Sequence, residues 1–109
     1  MLLNQRTCSK TSAMYMHIVM LELSASCDAR FFDSVNAYAQ RIRHECQGVR
    51  LYQFTANEAS RAQGYTHAVI SAFDSAELHD AYQISQAHQA MKAYMAPFIE
   101  RLAVFDGMV

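Results

Sequence analysis

Apolar residues alternate between short continuous runs and longer periodic stretches. Tyr15-Met16-His17-Ile18-Val19-Met20-Leu21-Glu22-Leu23 is β-branched and aromatic, and it is apolar at odd and even positions alike. Alternate residues of a strand face opposite sides of a sheet, so this run predicts a first strand buried on both faces. Asp28 then offers an N-cap, and Phe32, Val35, Ala39, Ile42 and Cys46 recur at three- and four-residue steps. That spacing draws one apolar stripe along an amphipathic helix, with Gly48 suited to its C-terminal stop. Val49 to Thr55 reads as a second strand, carried by Leu51, Tyr52 and Phe54. The polar stretch from Asn57 to Gly64 reads as a hairpin loop. Tyr65 to Phe73 reads as a third strand, again apolar on both faces through Ala68, Val69, Ile70 and Phe73. Asp74 and Glu77 resemble a variant capping pair. Leu78, Ala81, Tyr82 and Ser85 make a short helix. Ala87, Ala90 or Met91, and Tyr94 or Met95 continue a helical stripe to Pro97, which should end or kink the helix. Leu102 to Asp106 is the last strand.

The order is β-α-β-β-α-β, an α+β, ferredoxin-like arrangement. It predicts an antiparallel four-stranded sheet with helices on one face. The other face would meet water in a monomer, yet strands one and three are apolar there too. A second copy covering that face is the simplest resolution, which predicts a homodimer.

Composition sharpens this expectation. The chain has 109 residues, enough for one domain, and is 52% hydrophobic against 17% charged. So large an apolar fraction in so small a domain suits a partner subunit. Nine basic and ten acidic residues give a net charge of −1, and no basic stripe is interleaved with aromatics, so no nucleic-acid partner is expected. Arg41, Arg43 and Arg50 bracket the end of the first helix as a solvated face. No apolar run approaches the roughly 18 residues of a membrane span, so no membrane partner is expected. Cys8, Cys27 and Cys46 are odd in number and widely spaced, which fits a reduced, cytoplasmic protein rather than a disulfide framework. Residues 1–13 read as a flexible N-terminal extension and residues 14–109 as the domain. The apolar run Met1 to Leu3 is too short for a signal-peptide core.

Several local pieces occur together in a telling order. They are His17-Ile18-Val19, Gly48-Val49, Gly64-Tyr65-Thr66-His67-Ala68, Ala81-Tyr82 with Ala87-His88-Gln89, then Pro97 and Val104-Phe105-Asp106. With these pieces the chain resembles a stress-responsive A/B barrel (Dabb) domain of the dimeric α+β barrel superfamily, from about Met14 to Asp106. The resemblance implies that fold, a homodimer and a pocket of small-molecule size. It does not imply one activity, since most such domains have no assigned reaction. One plant polyketide cyclase of the family closes its substrate by an aldol step. It uses a Tyr and a His at places matching Tyr82 and His88, and histidines matching His17 and His67 lie near its pocket. The chain departs from the family at Ser85-Gln86, where His-Pro is common.

The residues themselves restrict the chemistry. Tyr82 and His88 are six apart, about 240° around a continuous helix, so they converge only if the helix breaks between them. Ser85 can cap a second segment and place His88 in its first turn. The positive end of a helix disfavours imidazolium and biases His88 toward the neutral form a general base needs. Tyr82 would then donate to a carbonyl or enolate oxygen. The structural alternative has His88 bonded to a buried carbonyl and Tyr82 as plain core. His17 and His67 share parity with Val19 and Val69 on neighbouring strands. They read either as a pocket wall that orients a ligand oxygen or as satisfied core histidines. No carboxylate or cysteine sits at a ligand spacing among the histidines, so no metal and no cofactor are expected. His44 and His79 lie in polar helix surroundings and read as solvated. Met14, Met16, Met20, Met91 and Met95 read as packing.

Three functions follow as expectations. The first is a homodimer that binds a small apolar or carbonyl-containing molecule, with a role in stress response. The second is a cofactor-independent acid–base enzyme with polyketide-cyclase-like aldol or lyase chemistry, His88 its base and Tyr82 its donor. The third is a cofactor-free monooxygenase, as in cousins within the superfamily.

Overall fold

The computed structural model describes residues 13–109. The expected N-terminal extension, with Cys8 in it, lies outside the described residues except for Ala13. Four strands, β1 (Tyr15–Leu23), β2 (Val49–Ala56), β3 (His67–Phe73) and β4 (Ile99–Met108), form one antiparallel sheet in the order β2-β3-β1-β4. The helices are α1 (Ala29–Glu45), α2 (Ala76–Gln83) and α3 (Gln86–Met95), and a 3₁₀ turn over Ala96–Phe98 leads into β4. This is the ferredoxin-like α+β fold that the pattern predicts.

Local chemistry sets the boundaries. Asp28 caps α1 by accepting from the Phe31 N–H at 3.0 Å. Gly48 takes a φ of +73° just past α1, a conformation that costs an ordinary residue roughly 1 kcal/mol or more. Its missing Cβ also leaves room for Leu78. Pro97 sits in the 3₁₀ turn, where it ends α3 as expected. Other boundaries differ from the sequence reading. β3 begins two residues late, at His67, because Tyr65 and Thr66 close the loop, Thr66 bonding back to Leu21. The cap of α2 is Ser75, not Asp74: Ser75 accepts from the Leu78 N–H, while Asp74 pairs with Arg50 at 2.5 Å. β4 runs longer than Leu102–Asp106, since β1 supplies partners from Met108 back to Ile99, with an irregularity that leaves Glu100 unpaired in the ladder.

The core lies between the sheet and the helices. Phe31, Val35, Ala39 and Ile42 of α1 are buried against Leu21, Leu23, Tyr52, Val69 and Phe73. Phe31, not Phe32, heads the helix stripe; Phe32 packs at its margin. Each of the larger aliphatic and Phe side chains contributes roughly 1.5–3 kcal/mol through burial. The helix-facing row of β1 includes His17, Val19 and Leu21, which pair with Ser71, Val69 and His67 of β3. The opposite row, Met16, Ile18 and Met20, turns away from the helices together with Ala68, Ile70 and Ala72 of β3. Phe105 of β4 lies opposite Ile18 in this row and is half-exposed.

Candidate functional site

The second helical region is interrupted where Tyr82 and His88 require it. α2 ends at Gln83, and Ser85 restarts the helix by accepting from the His88 N–H at 3.2 Å. The same hydroxyl donates to the Tyr82 carbonyl at 2.7 Å, so one side chain ties the two segments together. The break brings the rings of Tyr82 and His88 to a centroid distance of 4.4 Å. Ser85 thus produces the geometry without the His-Pro of the family.

Each ring is held by a specific partner. His88 Nδ1 bonds the backbone carbonyl of Gln83 at 3.0 Å. A carbonyl can only accept, so Nδ1 carries the proton and Nε2 keeps its lone pair. Burial is the main reason the His88 pKa falls below its ordinary value, with Lys92 and the neighbouring histidines acting in the same direction. Tyr82 is buried, and its hydroxyl lies 2.7 Å from that of Tyr52. Burial raises the pKa of both phenols, so both stay protonated near neutrality.

His17 enters from the sheet. It is 4% exposed, and its Nδ1 lies 2.5 Å from Oδ1 of Asp106, the residue directly across the β1–β4 pair. His79 packs on it, with ring centroids 4.5 Å apart, and is itself 4% exposed. The solvated reading of His79 is therefore wrong: it lies one turn before Tyr82 on α2, on the face turned to the sheet. Its pKa is lowered, chiefly by burial and next by His17. His44 is exposed, as expected.

These groups border a cavity of about 280 Å³ between the sheet and α2–α3. Its apolar wall includes Val19, Leu21, Met91 and Met95, and its polar groups include His17, Tyr82 and His88, with Lys92 beside them. Tyr82, His88 and His17 are thus brought together. His67 is not. It aligns with Leu21, four residues along β1 from His17, which is roughly 13 Å. There it stacks on Phe54, packs near Phe32 and bonds Thr66 Oγ1 at 2.9 Å. Neighbouring strands do not imply neighbouring imidazoles.

Tyr52, His79, Asp106 and Lys92 join the site in the structure without a motif in the sequence that marks them as site residues. Tyr52 and Asp106 are visible only once the sheet register places them opposite Ser71 and His17. Lys92 lies four residues after His88 and His79 three before Tyr82, spacings that do put helical neighbours on one face.

A ferredoxin-like sheet with a cavity beneath its helices defines a large class of α+β proteins. Within that class the chain belongs to the stress responsive A/B barrel domain (Dabb) family, whose model matches residues 16–109. No curated protein matches the sequence. Among solved structures, a hydroxynitrile lyase from Passiflora edulis is 18% identical, covering 88% of this chain and 93% of that one at a TM-score of 0.77. A dimeric ferredoxin-like protein of unknown function from Thermobifida fusca is 20% identical, covering 89% and 92% at 0.75. A Dabb family protein from Mesorhizobium loti is 16% identical, covering 88% and 96% at 0.71. Among the described residues, no helix is long and apolar enough to cross a membrane.

Proposed function

We propose that this Dabb protein works as a homodimer whose cavity binds a small, largely apolar, carbonyl-containing molecule. The observation that carries this reading is the cavity's lining: apolar side chains surround a few converging polar groups, the usual make-up of a small-molecule site. The apolar sheet face that turns away from the helices supports pairing of two chains, and the Thermobifida fusca neighbour is a dimer. A cytoplasmic setting, which keeps thiols reduced, suits the free Cys27 and Cys46. A thermal-shift screen of ketones and 1,3-diketones on wild type and His88→Ala tests binding. Stabilisation of the wild type that shrinks in the variant supports it; no stabilisation by any carbonyl compound defeats it.

A second reading, acid–base catalysis, is favoured by the tautomer of His88. Its Nε2 has a free lone pair on a ring that lines the cavity. When the Tyr52 hydroxyl donates to that of Tyr82, the Tyr82 proton is available to a ligand oxygen. His88 would remove a proton alpha to a carbonyl, and Tyr82 would hydrogen-bond the enolate oxygen that forms. One structural neighbour is a hydroxynitrile lyase, so the scaffold hosts a lyase elsewhere. Proton–deuterium exchange alpha to a bound ketone, followed by NMR, decides the matter. Exchange above the buffer rate must disappear in His88→Ala; exchange equal to buffer in the wild type rejects catalysis.

A further inference from the structure

His79 has no role in the chemistry proposed for Tyr82 and His88. It is a polar residue spent on a buried position, packed against a second buried imidazole beside a carboxylate. One ligand-capable atom each from His17, His79 and Asp106 lies within 4.8 Å of the others. We propose that these three residues form a binding site for a divalent transition metal ion of the zinc class.

The donor chemistry fits. Imidazole nitrogen and carboxylate oxygen bind such ions at about 2.0–2.2 Å, and two histidines with one carboxylate leave further coordination positions open. Two neutral imidazoles and one carboxylate present a single negative charge to a dication. The donors come from three separate elements, β1, α2 and β4, so the chain path already gathers them. Gln83 supports the arrangement. Its side-chain amide group lies 3.2 Å from His79 Nε2; with its oxygen turned to that nitrogen it accepts the Nε2–H and leaves the Nδ1 lone pair for the ion.

The present geometry also shows what must change. His17 Nδ1 and Asp106 Oδ1 stand 2.5 Å apart, a hydrogen bond. Two donors on one ion stand roughly 3.3 Å apart when each bond is near 2 Å and tetrahedral. The ion therefore takes the place of the proton shared by His17 and Asp106. His17 then carries its single proton on Nε2 instead of Nδ1, so the ring stays neutral, and the carboxylate retreats by less than about 1 Å. Asp106 has the room: its side chain is 34% exposed and sits on the edge strand.

The test is titration of the untagged full chain with Zn²⁺ and with Co²⁺, followed by calorimetry and visible absorption. One ion per chain is expected, with a cobalt d–d band. His79→Asn and Asp106→Asn should each weaken binding at least tenfold, while His44→Gln, on an exposed histidine, should not. Saturation absent at one ion per chain, or affinity unchanged in both cluster variants, overturns the site. So does loss of binding in His44→Gln. Should a cluster variant fail to fold, the wild type decides by NMR: Co²⁺ must shift the ring signals of His17 and His79. Perturbation of His44 alone refutes the proposal.

Discussion

His88 points its protonated nitrogen back at the Gln83 carbonyl, five residues earlier, and so turns its basic nitrogen away from the helix. The hydrogen bond of 3.0 Å spans the break between α2 and α3. The orientation of the ring therefore depends on the link between the helices as much as on α3 itself, and the first prediction concerns that link.

Ser85→Ala removes the oxygen that accepts from the His88 N–H and the hydroxyl that donates to the Tyr82 carbonyl. Loss of an N-cap costs roughly 1 kcal/mol, or about 4–8 °C in a domain of this size. Thermal unfolding should show that drop, and Ser85→Gly a smaller one. Equal stability of Ser85→Ala and wild type would contradict the capping role.

Tyr52→Phe deletes one partner of the buried hydroxyl pair with Tyr82. The expected loss is about 1–2 kcal/mol by chemical denaturation, because the Tyr82 hydroxyl keeps access to the cavity and is only partly orphaned. Any ligand held by Tyr82 should bind less tightly as well.

Acid should destabilise the protein partly through His88. Burial depresses its folded pKa, while the unfolded value stays near 6.5. Above about pH 6.5 both states are neutral and stability is undiminished. As pH falls through that value the unfolded chain takes up the proton first, so stability is lost until the folded pKa is reached. His67 and His79, both lowered chiefly by burial, act in the same direction. Melting temperatures at pH 5 and pH 8 should differ less in His88→Asn than in wild type. If His88 acts as a base, the acid limb of its rate profile should likewise fall below the ordinary histidine range.

Ile18→Glu places a carboxylate between Ile70 and Phe105 on the sheet face that turns away from the helices. Burying an unpaired charge between two sheets is strongly unfavourable, so the variant should run as a monomer in light scattering at micromolar concentration. A wild type that is itself monomeric there would remove the basis for pairing.

Gly48→Ala should lose at least about 1 kcal/mol, since it combines a positive φ with a methyl directed at Leu78. Chemical denaturation measures it, and trimming the neighbour in Gly48→Ala/Leu78→Ala should recover only the steric part.

Much of the fold was legible because local signals agreed. The β1 run matched its strand from Tyr15 to Leu23, and Asp28 and Ser85 acted as caps because capping depends on residues within one turn. The site was less legible wherever it depended on register. The pairing of His17 with Asp106 spans 89 positions, and no local spacing reveals it. His67 meets the same limit: parity gives its face but not its distance along the strand from His17. His79 looked solvated because Asp80 and Glu77 flank it, although its helical phase with Tyr82 already turned it inward.

β4 is paired on one side alone, to β1, yet it carries Asp106 and the cavity-lining Leu102 and Val104, which are half-exposed. Part of the cavity wall is thus borne by an edge strand, where local opening is easier than in the centre of the sheet, while the α1 core lies on other strands. Amide exchange along β4 becomes a readout of access to the interior. In the proposed dimer, anything that steadies this edge would also lengthen the residence time of a bound molecule, so assembly and release would share one free energy.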